Sequence, residues 1–497
     1  MAVLQLHGIG VAWSASVPVL EDVSLVLDRG FYGLVGANGA GKTTLLAVLA
    51  GELAPHEGSV AVQPRDAVIA YCPQRVDAKN ADVEALARRD DGLASELRGR
   101  LALDPAGLER WPTLSPGERK RWQIAAALAR EPDVLLLDEP TNHLDADARR
   151  RLLGALRRFS GVGVVVSHDR TVLDALTSST LRIHRRAVTP YPGSYSEALP
   201  LWQRERAAEE QAHAGARDRV RQAEAHLDAA RRAQAGATAG KSTRARMKDK
   251  NDSDARGIIA TTKASWAESR AGRVVGTARG ELDRARQAVP EIERDATLGS
   301  KIFAKFERAP NQVLFHLDRD ELRAGDHIVL RDVRVTIGRD DRVRIEGPNG
   351  AGKTTLLEAL VAALPRRDRI LYLPQELEAA DVTALVERIS SIDNETRGRL
   401  LSIFAALGSD PDRVARGGRE GFSPGEARKL VLAEALARQV WALVLDEPTN
   451  HMDLPSVERL EAALASYPGC VLLVTHDDVF ANKIVNRSVV IESGSIQ

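Results

Sequence analysis

A glycine-rich stretch followed by Lys-Thr-Thr occurs twice in this chain and constrains its fold more than any other feature. The first copy is GANGAGKTT, residues 36–44, and the second is GPNGAGKTT, residues 347–355. Both fit G-x-x-x-x-G-K-[ST], in which glycines let backbone N–H groups surround phosphate oxygens. The helix that follows directs its positive end at the same anion. The chain therefore has two candidate phosphate-binding loops.

The context of each loop agrees with this interpretation. Residues 31–35 and 342–345 have the pattern of a strand before each loop, and residues 44–50 and 356–361 that of a helix after it. A glycine-rich turn can match such a pattern by chance, but two matches, each between a strand and a helix, argue against a chance match. In such loops the lysine (Lys42, Lys353) reaches the β- and γ-phosphates and the next threonine (Thr43, Thr354) holds Mg²⁺.

Length and composition limit the alternatives. The 497 residues suffice for two or three domains, and 44% hydrophobic with 28% charged residues is ordinary for a globular protein. The formal net charge is zero, so any nucleic-acid contact has to be local. Two cysteines exclude a disulfide framework and predict a reducing, cytoplasmic location. No secretory signal or apolar run long enough to span a membrane is visible.

Four further features lie in order after the first loop and return after the second. A strand ends in Pro-Gln at Gln74 and Gln375, where the amide could ligate Mg²⁺ or be an ordinary turn residue. Ser-Pro-Gly-Glu follows at 115–118 and 423–426. There the serine and glutamate form a capping-box pattern, so the motif could be a good helix start and nothing more.

An apolar run ending in Asp-Glu comes next, at Asp138-Glu139 and Asp446-Glu447. The run predicts a buried parallel strand, and ligands of open α/β sheets bind at the carboxyl ends of such strands. Two adjacent buried carboxylates are costly without a cation. We therefore expect the aspartates to help hold Mg²⁺ and the glutamates to act as general bases on the attacking water.

A second strand in each half ends in histidine, at His168 and His476. A lone histidine there is usually structural, but each lies 30 residues after its aspartate. The two halves are offset by 311 residues at the loop lysines and by 308 at the Ser, Asp and His positions. The chain thus contains a duplicated catalytic unit.

This order of motifs resembles the ATP-binding cassette, over residues 1–195 and 301–497. The motif Pro-Thr-Asn-His-Leu/Met-Asp, at 140–145 and 448–453, resembles that of the ABC-F branch. Members of this branch have two cassettes on one chain and no membrane domain. The resemblance implies an α/β fold of two P-loop NTPase cassettes joined by a long α-helical hairpin. We call residues 1–195 cassette 1, 196–300 the linker and 301–497 cassette 2.

The resemblance also implies that the cassettes hold two ATP molecules head to tail, so that each loop faces the Ser-Pro-Gly-Glu motif of the other cassette. It makes His168 and His476 catalytic together with the two glutamates. The implied ATP-binding residues are Trp13, Gly36, Asn38, Gly39, Ala40, Gly41, Lys42, Thr43, Thr44, Ser115, Gly117, Glu118, Gly347, Asn349, Gly350, Ala351, Gly352, Lys353, Thr354, Thr355, Ser423, Gly425 and Glu426. The implied Mg²⁺ residues are Thr43, Gln74, Asp138, Thr354, Gln375 and Asp446.

Two departures from the family pattern are visible. Pro116 and Pro424 stand where the family usually has a second glycine, and proline removes a donor and fixes φ. Trp13 could stack on a base or be a half-buried strand residue. The matching position in cassette 2 falls near Arg323 and Ala324, so stacking there is lost or replaced by the guanidinium.

The linker has two helical patterns that flank a polar middle. Apolar residues recur at steps of three and four at Ala212, Ala216, Val220, Ala223, Leu227 and Ala230, and again at Ala271, Val275, Ala278, Leu282, Ala285 and Val289. Such seams predict an antiparallel helix pair, with Pro290 ending or kinking the second helix. About 35 helical residues extend roughly 50 Å, which would carry the tip well away from the cassettes.

The predicted tip is basic. Residues 231–250 contain seven Lys/Arg and one Asp, a net charge of +6. A solvated charge run is the ordinary interpretation, but a projecting hairpin favours contact with RNA phosphates. The candidate contact residues are Lys241, Arg244, Arg246, Lys248 and Lys250.

In the ABC-F family the matching segment enters the ribosome near the P-site tRNA and the peptidyl-transferase centre. The resemblance therefore implies ribosomal RNA and P-site tRNA as partners of a monomer whose cassettes pair within the chain. Only 40 residues separate Gln74 from Ser115, and the chain stops soon after His476. An armless, tailless pair with a long linker looks most like the antibiotic-resistance ribosome-protection members.

Two other classes of ATPase share some of these motifs. The ATPase subunit of a drug exporter with a separate membrane chain would share the cassettes but has no need of a long basic linker. DNA-repair ATPases of the excision type need zinc cysteines, and chromosome-organising ATPases need far longer coiled coils. The sequence predicts a cytoplasmic ATPase that closes on two ATP molecules and engages the ribosome through its linker, in protection or translation regulation.

Overall fold

The computed structural model describes residues 2–14, 17–76, 78–142, 144–240, 258–289, 303, 306–348, 350–364, 366–415, 421–492 and 494–496. The chain forms two compact units. The first combines Met1–Ala198 with Asp295–Gln497, and the second is Leu199–Arg294. Both cassettes therefore belong to one unit, and most of the linker forms the other.

Cassette 1 alternates strands and helices. Its strands are β1 (Val3–Ser14), β2 (Val17–Leu27), β3 (Gly30–Gly36), β4 (Glu57–Gln63), β5 (Ile69–Cys72), β6 (Val134–Asp138), β7 (Val162–Val166), β8 (Ser179–His184) and β9 (Ala187–Pro192). Its helices are α1 (Lys42–Leu49), α2 (Ala81–Arg88), α3 (Gly92–Arg100), α4 (Pro116–Leu128), α5 (Ala146–Leu156) and α6 (Arg170–Leu176), with a 3-10 segment at Pro105–Thr113.

The central sheet of cassette 1 has the order β5-β6-β7-β3-β8-β9. All neighbours pair in parallel except β8 and β9. Every residue of β6 and β7 is buried, as their continuous apolar runs require. Asp138 pairs with Val166 at the carboxyl edge of this sheet, so the Asp-Glu and His motifs arrive side by side.

A smaller antiparallel sheet of order β2-β1-β4 packs against the central sheet and α1 of cassette 1. Its inner residues pack with β3, α1, β6 and β7 in one core that includes Leu4, Leu20 and Leu46. The start of β2 lies against the first glycine-rich loop. A Cβ added at Gly41 would lie 2.8 Å from Val19, so this sheet shapes one wall of the loop.

The second unit is a pair of long helices, α7 (Tyr195–Gly240) and α8 (Ile258–Gln287). Leu227, Ala230, Ala278 and Leu282 form its buried core. Ion pairs of His226 with Glu281 at 3.0 Å and of Arg286 with Glu224 at 2.8 Å show that the two helices run antiparallel.

The expected apolar seam is thus present, with two corrections. Ala212 is exposed, so the buried seam begins at Ala216. The helices contain 46 and 30 residues, so the first is longer than the expected 35 and the second shorter. The basic residues 241–250 and Pro290 lie outside the described residues.

Cassette 2 repeats the plan. Its strands are β10 (Val313–Ala324), β11 (His327–Gly338), β12 (Arg342–Glu346), β13 (Ile370–Leu373), β14 (Ala442–Asp446), β15 (Cys470–Val474), β16 (Arg487–Glu492) and β17 (Ser495–Ile496). Its helices are α9 (Lys353–Ala362), α10 (Ala379–Ser391), α11 (Asn394–Ala406), α12 (Pro411–Ala415), α13 (Pro424–Arg438), α14 (Leu454–Ser466) and α15 (Asp478–Ile484), with a 3-10 segment at Arg367–Arg369.

The main sheet of cassette 2 has the order β13-β14-β15-β12-β16-β17, which matches that of cassette 1. The antiparallel part differs, since it is the two-stranded sheet β10-β11 where cassette 1 has three strands. The offset between matching residues of the two cassettes shows where cassette 2 is shorter. It is 311 residues from Lys42 to Lys353 but only 301 from Gln74 to Gln375. The segment that forms β4 in cassette 1 is the part that cassette 2 has shortened.

Candidate functional site

Each glycine-rich loop joins a central strand to a helix, as its sequence predicts. Gly41 and Gly352, which precede α1 and α9, have φ of 101° and 97°, in the left-handed region that favours glycine. Neither helix has a side chain capping its N-terminus. Backbone N–H groups at the start of each helix are therefore available to an anion.

The loop lysines and threonines occupy matching positions in the two copies. Lys42 Nζ donates to the Gly36 and Ala37 carbonyls at 2.8 and 3.0 Å, and Lys353 makes the matching bonds at 2.8 and 2.9 Å. Each ammonium thus lies over its own loop. Burial lowers the pKa of both lysines, and nearby carboxylates oppose that shift.

The two candidate metal positions bring a hydroxyl and a carboxylate together. Thr43 Oγ1 donates to Asp138 Oδ2 at 2.8 Å, and Thr354 Oγ1 donates to Asp446 Oδ2 at 2.6 Å. The partners are 95 and 92 residues apart in sequence, so only the fold joins them. Burial raises the pKa of both aspartates, while the threonine hydroxyl and a nearby cation oppose this.

The glutamate that follows each aspartate has an unusual backbone. Glu139 and Glu447 both have φ of 48°, a left-handed conformation that costs about 1–3 kcal/mol for a non-glycine residue. His168 Nε2 lies 3.0 Å from Glu139 Oε1, and His476 Nε2 lies 3.6 Å from Glu447 Oε1. The backbone N–H of each histidine also donates to its glutamate, at 3.3 and 3.4 Å. Each strained turn thus holds a carboxylate beside an imidazole.

Burial sets the protonation of these groups. It raises the pKa of Glu447 to about 7, helped by the negative charge of Asp446, and it also raises the pKa of Glu139. It lowers the pKa of His168 to about 3 and that of His476 to about 4, with the loop lysines adding to the effect. Both imidazoles are therefore neutral near pH 7, and a carboxylate whose pKa lies near 7 can accept a proton from water.

A buried cation behind each site was not predicted from the sequence. Lys120 Nζ donates to the carbonyls of Pro73 and Asp138, at 2.6 and 2.9 Å. In cassette 2 the matching Arg428 donates to the carbonyls of Gln375 and Glu447. Each cation joins the Pro-Gln strand end to the Asp-Glu strand end. The signal was a basic residue five positions after the serine in both copies.

The first loop touches the other cassette. Asn38 donates its backbone N–H to Asp453 Oδ2 at 2.6 Å and its Nδ2 to the His451 carbonyl at 3.2 Å. A Cβ added at Gly425 would lie 3.8 Å from Asn38 Nδ2. Loop 1 therefore lies near the Ser-Pro-Gly-Glu motif of cassette 2, in the arrangement that head-to-tail pairing requires.

A polar cavity of about 650 Å³ runs along the interface between the cassettes. Loop 2 contributes Lys353 and Thr354 to its wall, and cassette 1 contributes Leu144 and Arg149. We call the first loop with Gln74, Asp138, Glu139 and His168 site 1, and the matching residues of cassette 2 site 2. The cavity is lined more fully by site 2 and extends to Asn38 and His168 of site 1.

The remaining predicted residues have these positions. Ser115 and Ser423 each form a complete capping box with the glutamate three residues on, so the helix start is present in both motifs. The half-buried interpretation of Trp13 is wrong, because its side chain is 70% exposed at the end of β1. Arg323 pairs with Glu321, and the residue of that region on the cavity wall is Ala324. Asn349 lies outside the described residues.

The oxygen ligands and backbone N–H groups at each site fit Mg²⁺ and a nucleoside triphosphate. A threonine hydroxyl and a carboxylate oxygen meet at each strand end, and Gln74 and Gln375 add an amide on the cavity wall. Oxygen ligands of this kind suit a hard cation. The glycine before each helix is left-handed, and a Cβ there would crowd Val19 in cassette 1 or Val329 in cassette 2, so both positions require glycine. The fold and these groups define a nucleotide-hydrolysing cassette protein.

Comparison with known proteins agrees. A family model described as ABC transporter matches residues 20–142 and 330–450. The tylosin resistance ATP-binding protein TlrC of Streptomyces fradiae is 31% identical over 99% of this chain and 98% of its own length. The ribosome protection protein VmlR of Bacillus subtilis is 28% identical over 96% of this chain and 85% of its own. A solved structure titled RNase-L Inhibitor superposes with a TM-score of 0.61 at 20% identity, covering 99% of this chain and 90% of that one.

This chain belongs to the ABC-F family of ATP-binding cassette proteins and is an ATPase. Both cassettes and their order on one chain are those expected from the sequence. Within the described residues, no helix is both long and apolar enough to cross a membrane.

Proposed function

We propose that this protein binds two ATP molecules between its cassettes and uses their closure to engage the ribosome through the linker, in ribosome protection or translation regulation. The observation that carries the proposal is the helical pair of α7 and α8, a compact unit whose sequence lies between two cassettes that contact each other. Relatives of nearly full length are named for ribosome protection and for resistance to tylosin. The proposed location is the cytoplasm, and the proposed state is a monomer.

Each site would act through groups already in place. Mg²⁺, when bound by Thr43 and Asp138 or by Thr354 and Asp446, would neutralise charge on the β- and γ-phosphates. Lys42 and Lys353 would bind the same phosphates. The Ser-Pro-Gly-Glu motifs at 115–118 and 423–426 would contact the γ-phosphate from the opposite cassette, with helix N-termini directed at it.

Proton transfer would fall to the glutamates. Glu139 and Glu447 accept the proton of the attacking water, and their raised pKa makes them stronger bases than an exposed carboxylate. His168 and His476 are neutral and lie beside them, so each can hydrogen-bond a phosphate oxygen or the water without adding charge. The strained backbone at each glutamate fixes where the carboxylate points.

The linker supplies the contact with nucleic acid in this proposal. Lys241, Arg244, Arg246, Lys248 and Lys250 would bind phosphates of ribosomal RNA or P-site tRNA. Such contacts neutralise phosphates and release counterions, so they position the protein without reading sequence. Closure of the cassettes on ATP would set the direction of the linker, and hydrolysis would release it.

The decisive experiment is co-sedimentation with 70S ribosomes. A Glu139→Gln/Glu447→Gln double variant should bind ATP without hydrolysing it and should pellet with ribosomes in ATP. The matched control adds Lys42→Ala and Lys353→Ala, which remove the phosphate ligands and should return the protein to the supernatant. Absence of ATP-dependent pelleting would contradict the ribosome proposal and favour the exporter-subunit alternative.

Charge reversal at Arg244, Arg246 and Lys248 tests the role of the linker separately. The triple variant should lose ribosome binding and keep nearly all of its basal ATP hydrolysis. Equal loss of both would mean that the segment is structural. A susceptibility panel in a sensitive host, with and without the protein, then distinguishes resistance from general translation control.

A further inference from the structure

Arg149 connects the two cassettes at a place that the sequence motifs do not mark. It lies on α5, four residues after the helix cap Asp145. Its Nε lies 2.9 Å from Asp169 Oδ2 of its own cassette. Its Nη1 donates to the backbone carbonyl of His476, in the other cassette, at 3.2 Å. The side chain is only 16% exposed, so both contacts are shielded from water.

Asp169 holds Arg149 in a defined position. It directly follows His168 and caps α6, with Oδ1 accepting from the N–H groups of Thr171 and Val172. Oδ2 is the oxygen that faces the guanidinium. One end of the Arg149 bridge is therefore fixed to the strand end that carries the site 1 histidine.

The other end of the bridge reaches the groups of site 2. The His476 N–H donates to Glu447 Oε2 at 3.4 Å, and its imidazole lies 3.6 Å from Glu447 Oε1. A change in the His476 backbone therefore moves both groups that face the glutamate. Arg149 also lies on the cavity wall together with Lys353 and Thr354.

The arrangement exists in one direction only. The residue of cassette 2 that matches Arg149 is Val457, which is 1% exposed and packs in an apolar core. The residue that matches Asp169 is Asp477. Burial raises the pKa of Asp169, and the negative charge of Asp477 adds to this, so the two carboxylates lie near each other across the interface. Of the matched residues Arg149 and Val457, only Arg149 has a guanidinium, and it reaches His476 from cassette 1. Arg170 of cassette 1 makes a separate contact with cassette 2, through Glu461.

We propose that Arg149 is a positioning residue for site 2, which holds His476 beside Glu447 and makes turnover at that site depend on the His168–Asp169 strand end of cassette 1. This inference rests on the proposed roles of Glu447 and His476. The residue of cassette 2 that would make the same bridge to site 1 is Val457, which has no guanidinium, so turnover at site 1 does not depend on such a bridge.

The test measures one site at a time. Glu139→Gln leaves hydrolysis to site 2, and Glu447→Gln leaves it to site 1. Single-turnover hydrolysis with excess protein gives the maximal rate and the half-saturating concentration in each background. Arg149→Met should lower the maximal rate of site 2 about tenfold and change half-saturation less than about twofold, the pattern of a lost transition-state interaction. The rate of site 1 should fall less than about twofold.

Three variants separate positioning from general packing. Arg149→Lys keeps the charge and should recover part of the rate of site 2. Arg151→Met, on the same helix but in an exposed pair with Asp147, is the matched control and should leave both sites unchanged. Asp169→Asn keeps a good helix cap, and should slow site 2 without adding to the effect of Arg149→Met. Circular dichroism melting checks that each variant is folded.

Each result decides the matter. Equal slowing of both sites by Arg149→Met, or a change in half-saturation alone, would overturn the inference and make Arg149 a packing residue. Full turnover in both glutamine backgrounds would instead mean that the glutamate roles are wrong. The comparison is then repeated in Lys42→Ala and Lys353→Ala backgrounds, where an equal effect on both would still contradict the role of Arg149.

Discussion

The two candidate sites of this chain carry the same motifs in different surroundings. Lys42 of site 1 is 8% exposed, and its loop contacts Asp453 and His451 of cassette 2 through Asn38. Lys353 of site 2 is more open and lies on the wall of the interface cavity. A duplicated motif therefore fixes the chemical groups of a site but not its burial or its neighbours.

The two cassettes also differ in the structure around their shared motifs. The antiparallel sheet of cassette 1 has a third strand, β4, whereas that of cassette 2 is the two-stranded hairpin β10-β11. Strand β1 of cassette 1 has the exposed Trp13 near its end, whereas β10 of cassette 2 ends in Ala324. The Glu–His distance is 3.0 Å in site 1 and 3.6 Å in site 2. Arg149 contacts the histidine of site 2, and the matching Val457 makes no such bridge to the histidine of site 1. We expect the two sites to respond differently to matched substitutions.

The largest effect is expected from the glutamates. Loss of a general base lowers the rate by about 10²–10⁴-fold, so Glu139→Gln/Glu447→Gln should reduce phosphate release by at least about 100-fold. Comparison of the single variants, assayed by phosphate release at saturating ATP, then gives the share of each site. Retention of a substantial fraction of the activity by the double variant would show that neither glutamate is the base.

The raised pKa of Glu447 predicts a pH dependence of stability. A carboxyl whose pKa rises from about 4.5 in the unfolded chain to about 7 in the folded protein stabilises the fold below the lower value, and that contribution is lost as pH rises through the upper one. The shift corresponds to of order 3 kcal/mol. Urea unfolding of the nucleotide-free protein should therefore show Glu447→Gln gaining stability relative to wild type between pH 5 and 8.

The same experiment on site 1 sharpens the comparison. Burial raises the pKa of Glu139 as well, and the charge of its loop lysine, Lys42, opposes that effect. Both glutamine variants should gain stability with rising pH relative to wild type. A flat difference for Glu447→Gln across this range would mean that the carboxyl is not raised in solution.

A smaller effect is expected from the aspartates that follow the Asp-Glu motifs. Asp145 and Asp453 cap α5 and α14 in the same way, but Asp453 is 4% exposed and also accepts from Asn38. Asp145→Ala should cost about 1 kcal/mol of unfolding free energy, the value of a helix cap. Asp453→Ala should cost about 1–3 kcal/mol more, because it leaves a donor of Asn38 without its partner. Equal losses in urea unfolding would contradict the closer contact at site 1.

The smallest effect on stability is expected at Trp13. Its side chain is 70% exposed, so Trp13→Ala should change the unfolding free energy by less than about 0.5 kcal/mol. If the ring stacks on a base, the variant should still weaken nucleotide binding by about fivefold or more, since stacking on an aromatic is worth about 1–3 kcal/mol. Titration with a fluorescent ATP analogue measures this. Ala324→Trp, in cassette 2, is the converse variant and should tighten binding if the position is equivalent.

Much of the fold was predictable because its signals are local. The apolar runs before Asp138 and Asp446 predicted fully buried strands, and both are buried along their length. Ser115 and Ser423 predicted helix starts, and both form capping boxes. The linker seam was correct from Ala216 onward, since a three-and-four spacing is enough to place a narrow apolar face on a helix.

Other features had no local signal. Arg149 and Lys120 look like ordinary helix cations, yet one bridges the cassettes and the other joins two strand ends. The exposure of Trp13 depends on how β1 ends, which strand alternation does not decide. The sequence indicated the smaller antiparallel sheet of cassette 2 only through the offset between matching motifs, which is 311 residues at the loop lysines and 301 at Gln74 and Gln375.

The sequence by itself determined the chemistry of this protein: two phosphate loops, two Asp-Glu pairs and two histidines in one repeated order, because each depends on residue type and short spacing. Tertiary structure alone decided the environment of each site. Contacts such as Asn38 with Asp453 and Arg149 with His476 join residues more than 300 positions apart. Their burial and direction depend on how the cassettes pack, and packing is set by the whole surface of each cassette and not by any one motif.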